Sequence, residues 1–579
     1  MNRIDDINKN IFNNNSYFHY IVEYTGNPKK EITKYPDFRL TIINSRYAIL
    51  SLPMAVSYYY PNLSFETIIY IQPYDVYSLQ DISPLEASQA NFLQLDLPLN
   101  LKGNGVLIAV IDTGIDYLSE EFMDSDGNTR IDYIWDQSSE TIINQNSILQ
   151  CPFGAIYTSE DIQKAINLSK KGGDPYSIVP VKDTIGHGTK MSCLIGGSGK
   201  NPEYRGVVPN CRFMVVKLAE EKKLFDLYKV PYTPVFNASM IFTALEFVYI
   251  YVLNFFIPVV IYLPLGTTLG SHDGNNTLDK YIDNICFTSG IAIVTGTGNE
   301  KGNGLHASGT LTQEDPIQSI DIDVSPEQKN LFVDIWVILP DIYSIDIISP
   351  SGENTGIINY VINNFSFYTF TFEETEVSIF YSVPEQSSGM ERIRLQFINL
   401  QPGIWKIRII GNLVVSGIFN AYLPQLGLTV GGTQFSPSDP YNTITNPGNS
   451  RFIITAAAYN QNNNNITSFS GMSSNASALF SRYLETIDVA AGGVNAITIA
   501  PNNERAIVSG TSVSAAIVAG ACAMLFEWGI IEGNDPNMFS QTIKTYLSRG
   551  VTERPGDIYP NPQWGYGILS IFNIFRNIT

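Results

Sequence analysis

Three short segments of this 579-residue chain carry side chains that together make an activated nucleophile. Val110-Ile111-Asp112-Thr113-Gly114 puts a carboxylate at the C-terminal end of an apolar run. Gly186-His187-Gly188-Thr189 puts an imidazole at the start of a helical pattern, between glycines that let a substrate backbone approach. Ser509-Gly510-Thr511-Ser512-Val513-Ser514-Ala515-Ala516 puts a hydroxyl at the head of a helix of small residues. A serine hydroxyl attacks poorly at neutral pH unless an imidazole takes its proton. A buried carboxylate then fixes the imidazole tautomer and stabilises the imidazolium. A fourth segment, Gly296-Thr297-Gly298-Asn299, follows an apolar strand, and its side-chain amide suits a developing oxyanion together with the backbone N–H of Ser512.

Each segment alone has a plainer reading. Asp-Thr-Gly also marks aspartic proteases, but those need two such motifs for their dyad, and no second one exists here. Ser512 alone caps a helix. Ser514 stands where a Gly-x-Ser-x-Gly elbow needs its last glycine, which disfavours an α/β-hydrolase. The joint occurrence, each group in its own strand or helix, is what points to acyl transfer through serine.

The elements that must position these groups alternate. Val106–Ile111, Phe213–Lys217, Pro258–Leu263 and Ile291–Thr295 read as buried strands, and His187–Ile195 and Ser239–Phe256 as helices. That alternation implies a parallel sheet flanked by helices. Residues 308–432 break it with eight strand-like runs and no helix, punctuated by Pro340, Pro350-Ser351-Gly352 and Pro402-Gly403, as in a β-sandwich or jelly roll. The α/β pattern then returns, with a long helix from about Ser512 to Trp528. Residues 1–80 read as a small α+β unit with strands Tyr20–Tyr24, Tyr47–Leu52 and Thr67–Gln72, and Ser78–Ser88 as a polar linker. The expected divisions are therefore 1–80, 81–307, 308–432 and 433–579.

Composition narrows the function classes. A net charge of −20 argues against nucleic acid, which needs Lys and Arg to neutralise phosphate. Five scattered cysteines without paired metal spacing read as buried thiols, so neither a metal nor a cofactor is expected. Asp124-Ser125-Asp126-Gly127-Asn128 resembles the start of a calcium loop but lacks its downstream Glu, and reads as a hairpin turn. His272 and His306 read as surface or loop residues. The N-terminus has no signal-peptide core, so manufacture in the cytoplasm is expected. Phe247–Gly270 is uncharged, but Asn254 and Pro258 interrupt it, so it reads as a buried helix and strand rather than a membrane span.

The motifs and their order Asp, His, Ser resemble the subtilisin-like serine proteases over roughly residues 100–305 and 435–575. The resemblance implies a seven-stranded parallel sheet and a catalytic triad of Asp112, His187 and Ser512. It also implies an oxyanion donor in Asn299, and substrate binding along Leu265, Gly266 and Gly298. Pro264 departs from the family, which often has Ser there, as does Lys190 after His187-Gly188-Thr189. Residues 1–80 stand where the family carries an inhibitory propeptide. Mature members begin about thirty residues before the catalytic Asp, which places self-cleavage after Gln80, before Asp81. The β-rich insertion and the missing signal peptide are similar to the germination-specific Csp proteases of spore formers. That resemblance implies packaging in the spore and activation of the precursor of a cortex-lytic hydrolase. Related Csp-type pseudoproteases are implied as partners. A silent pseudoprotease scaffold and a general intracellular subtilase are the alternatives.

Overall fold

The computed structural model describes residues 17–57, 65–71, 83–94, 99–141, 151–222, 228–361, 365–474 and 487–578. The chain divides into two compact units, Met1–Asp81 and Ile82–Thr579.

The first unit is an antiparallel sheet of β1 (Tyr17–Tyr24), β2 (Arg39–Ile42), β3 (Tyr47–Pro53) and β4 (Ile68–Ile71), in the order β2-β3-β1-β4. Tyr20, Val22, Ala48, Leu50, Leu52 and Ile68 build its core with Ile32 and Phe38. Strand β2 escapes sequence reading because its residues are all only half-buried, so no apolar run marks it. A short helix, Met54–Ser57, follows β3. Gln80 and Asp81 lie outside the described residues.

The second unit is built on one sheet. Its strands begin with β5 (Leu107–Asp112), β6 (Ile131–Asp136), β7 (Ala155–Thr158) and β8 (Arg212–Lys217). They continue with β9 (Val259–Tyr262) and β10 (Ile291–Gly296). After an insertion holding β11 to β20 come β21 (Ile454–Asn460), β22 (Asn465–Ile466) and β23 (Val489–Gly492). Seven strands run parallel in the order β23-β21-β10-β9-β5-β8-β6. Two antiparallel strands extend the seven-stranded expectation, β7 beside β6 and β22 beside β21. Every residue of β5, β9 and β10 is buried, as a sheet covered on both faces requires.

The helices Ala238–Phe255 and Thr277–Cys286 pack on one face. His187–Gly196 and Thr511–Phe526 pack on the other. The latter is apolar all round and buried almost throughout, the mark of a central helix. Ala238–Phe255 and Thr511–Ile531 both have the length and hydropathy of membrane spans, yet each lies against the sheet. The uncharged Phe247–Gly270 is the end of the first of these helices followed by β9, as expected. That helix differs in burying one face only, and Phe256 after it is 86% exposed.

Ser78–Ser88 is not all linker. Ser83 caps a short helix, Pro84–Ala87, in a reciprocal capping box with Glu86. At the far end of the Ser512 helix, Glu527 accepts from Lys102 N (2.7 Å), Gly103 N (2.6 Å) and Asn104 Nδ2 (2.6 Å). This carboxylate ties that helix to the chain entering β5.

The insertion is two antiparallel sheets face to face. The first holds β11 (His306–Thr310), β19 (Ile418–Tyr422), β13 (Leu331–Val337), β17 (Glu391–Ile398), β16 (Glu376–Ser382) and β15 (Phe365–Thr369), in that order. The second holds β14 (Ile342–Ile348), β18 (Gly403–Leu413), β12 (Ile317–Val324) and β20 (Gln434–Phe435). Burial alternates strictly along β17, the pattern of a sheet with one face inward. One core joins Ile320, Ile345 and Ile407 of one sheet to Val333, Ile379 and Leu395 of the other. Sequence reading misses β11 and β20, because β11 has no large apolar residue and β20 is only two long.

Candidate active site

Asp112 ends β5 at the carboxyl edge of the sheet, where open α/β sheets place their sites. Its carboxylate lies 2.8 and 2.9 Å from His187 Nδ1 and also accepts from Thr113 N at 2.7 Å. The Asp112 side chain is 1% exposed and that of His187 34%. Burial works against protonation of His187, but the charge and hydrogen bond of Asp112 outweigh it and raise the imidazole pKa. No protein group bonds His187 Nε2 among the described residues.

The turn that delivers His187 is organised by Asp183, a residue sequence reading passed over. Its Oδ1 accepts from Thr113 Oγ1 (2.8 Å) and Gly186 N (2.7 Å), and its Oδ2 from Thr189 N (2.9 Å) and Oγ1 (2.6 Å). The carboxylate thus satisfies the start of the His187 helix and holds it against the Asp112 turn. The only sequence signal is an acidic residue four positions before the histidine. A Cβ on Gly188 would lie 2.1 Å from Gly114 O, so only glycine allows this approach.

Ser512 sits in the first turn of the helix Thr511–Phe526, and its carbonyl accepts from Tyr262 Oη at 2.8 Å. Tyr262 pairs beside Val110, two residues before Asp112, so the tyrosine links the Ser512 turn to the Asp112 strand. Close approach of this helix to β10 needs Gly296, whose added Cβ would lie 2.7 Å from Thr511 Oγ1. Asn299 Oδ1 accepts from Thr511 N (3.0 Å) and Thr511 Oγ1 (3.2 Å). This leaves its Nδ2 as the free end of the amide.

Ser512, Asn299, Leu265, Gly266 and Gly298 line one cavity of about 150 Å³, with Pro264, Thr295, Thr445 and Glu300. The structure therefore gathers the expected residues into two groups, Asp112 with His187 and the rest around this cavity. No hydrogen bond joins Ser512 Oγ to His187 among the described residues. Catalytic hydrogen bonds are often long before substrate binds. Sequence reading missed Thr445 and Glu300, one remote in sequence and the other hidden beside Asn299.

Other expected features fall into place. All five cysteines are buried. Asp124 to Asn128 forms a hairpin turn, with Met123 bridged to Thr129 and Asp124 N donating to Asn128 O at 2.8 Å. His272 lies in a loop, as expected, but His306 differs, being a buried residue of β11. His306 is 2% exposed, and both rings stack on Tyr422, at centroid distances of 4.0 Å for His272 and 4.6 Å for His306. They pack where the sandwich meets the loop after Gly266.

A comparison with curated proteins finds no match. The subtilase family model matches residues 103–240 and 435–567, the segments that carry Asp112, His187 and Ser512 on either side of the insertion. On these matches the chain is a subtilisin-like serine endopeptidase. Among solved structures it is similar to the Clostridium perfringens CspB protease, with 28% identity and a TM-score of 0.74. That match covers 85% of this chain and 98% of the other, well beyond the two family segments. The leader-peptide processing serine protease EpiP of Staphylococcus aureus is 12% identical with a TM-score of 0.40, over 97% of this chain and 99% of that one.

Proposed function

We propose that Asp112, His187 and Ser512 act as the catalytic triad of an endopeptidase that processes its own residues 1–80 and then a protein precursor. The observation carrying this is the Asp112–His187 pair at the carboxyl edge of the sheet, one strand from the cavity that holds Ser512 and Asn299. Ser512 Oγ attacks the scissile carbonyl carbon while His187 Nε2 takes its proton. The tetrahedral oxyanion is held by Asn299 Nδ2 and the Ser512 N–H. His187 returns the proton to the leaving amine, and water repeats the sequence on the acyl-enzyme. Leu265, Gly266 and Gly298 line the substrate path.

The inserted domain, wound as a jelly roll, and the likeness to CspB favour a precursor of a spore cortex-lytic hydrolase as substrate and spore packaging as location. Related Csp-type pseudoproteases are partners on this reading. Incubation of purified enzyme with such a precursor tests it. One discrete cut, absent with Ser512→Ala, is the expected result. Indiscriminate casein digestion without a discrete precursor cut contradicts it and favours general turnover.

A further inference from the structure

We propose that Tyr262 is a positioning residue for the reaction, whose hydroxyl aims Ser512 by fixing the rotation of the helix that carries it. The inference rests on the reading of Ser512 as nucleophile, since it names what holds that residue in place.

The first turn of the Ser512 helix is tied from three strands. Thr511 N and Oγ1 donate to Asn299 Oδ1, just past the end of β10, at 3.0 and 3.2 Å. Ser514 Oγ donates to Ala491 O of β23 at 3.0 Å. Tyr262 Oη, on the last residue of β9, donates to Ser512 O at 2.8 Å. The first two ties hold neighbours of the nucleophile. Among the described residues, the Tyr262 bond is the one side-chain tie to Ser512 itself.

These ties matter because packing leaves the rotation open. The helix is apolar all round and built largely of small residues, so burial alone favours no particular turn about its axis. A roll of about 10° would swing a hydroxyl lying about 4 Å from that axis by about 0.7 Å. Displacements on the scale of an ångström can cost about 10²-fold in turnover. A bond to the Ser512 carbonyl sets the peptide plane beside its Cα, and with it the direction of Oγ.

Tyr262 is suited to act as the fixed point. It is fully buried, and it pairs on one side with Val110, two residues before Asp112, and on the other with Val294, two before Gly296. The hydroxyl thus refers Ser512 to the strand that ends in Asp112 and to the strand that leads to Asn299. Burial, and after it the charge of Asp112, push the phenol pKa well above its ordinary value of about 10, so the group keeps its proton and stays a donor. Tyr262 does not line the cavity that holds Ser512, so it acts on the reaction through Ser512 and not on the substrate. A core tyrosine that merely satisfies its own hydroxyl would have no such effect on turnover.

The test uses the full chain with Tyr262→Phe, which keeps the ring in the core and removes the hydroxyl. Rates are taken per site titrated to completion with a fluorophosphonate, so misfolded chain does not count. The kcat should fall at least about tenfold while KM stays within about threefold, because the cavity is untouched. Labelling of Ser512 should slow by a similar factor. The acid limb of kcat/KM should stay in place, because His187 and Asp112 keep their pair. Tyr262→para-aminophenylalanine returns a donor to the same end of the ring and should recover most of the lost turnover. A Tyr262→Phe enzyme whose kcat stays within about threefold of the parent, or whose loss lies in KM, overturns the role of Tyr262 alone. A displaced acid limb, or a loss that the amino analogue does not recover, overturns it equally. Absence of labelling in the unmodified chain overturns the reading of Ser512, and this role with it.

Discussion

His187 and Asp112 make a coupled pair whose electrostatics carry a kinetic signature. The base must be neutral to accept the serine proton, and Asp112 raises the imidazole pKa. The acid limb of kcat/KM therefore falls above the ordinary histidine value of about 6.5, with activity rising as pH climbs through it. Asp112→Asn keeps the shape and loses the charge. It should lower turnover about ten-thousandfold, as in other serine triads, and move the residual acid limb downward. Asn299→Leu removes the proposed oxyanion amide and should cost turnover about 10²–10³-fold, the loss known for the corresponding subtilisin amide. An Asn299→Leu enzyme with unchanged turnover would assign the oxyanion contact elsewhere.

At the scale of elements, the central helix and the carboxyl edge of the sheet bring together groups far apart in the chain, Leu265 and Asn299 with Ser512 and, separately, Asp112 with His187. Asp112, His187, Ser512 and Asn299 were readable because each sits in a local pattern, an apolar run ended by a polar group or a glycine-flanked turn. Asp183, Tyr262, Thr445 and Glu300 were not, because their partners come from other elements and no local spacing marks them. Buried His306 failed for the same reason, since its enclosure depends on residues far along the chain. The stack of His272 and His306 on Tyr422 fastens β11 and β19 to the loop holding His272. His272 Nε2 bonds Thr268 O at 2.7 Å, while His306 bonds Asp439 O at 3.1 Å and Asn420 Oδ1 at 3.0 Å. Tyr422→Ala should cost about 3–5 kcal/mol in denaturant unfolding, the usual loss for a buried aromatic. Burial lowers both imidazole pKa values, that of His272 to about 4, against the opposing charges of Asp273 and Asp439. Unfolded histidines protonate near 6.5, so the stability from this pair is complete above about pH 6.5 and drains as pH falls toward 4. A His272→Gln, His306→Gln double variant should lose less stability than the parent between pH 7.5 and 4.5. An identical slope would mean the pair is not linked to folding.

At the scale of the molecule, a subtilase core is interrupted by a β-sandwich and preceded by a separate compact unit, Met1–Asp81. The sandwich was visible in sequence as turns between alternating apolar runs, and the first unit as a short α+β pattern. The junctions were less visible, because the two-residue β20 exists only through its pairing with β12, far along the chain. If the first unit is a propeptide, the purified chain should begin at Asp81, or within residues 75–92. An intact N-terminus at Met1 in enzyme with full peptidase activity would make that unit a permanent domain instead.

The central claim is that Ser512 is the activated nucleophile, and covalent labelling by a fluorophosphonate probe tests it most directly. The account predicts one adduct per folded chain, located at Ser512, abolished by Ser512→Ala and by denaturation, and slowed by His187→Ala. Labelling that is absent from the folded chain, or that is identical with Ser512→Ala, would contradict it.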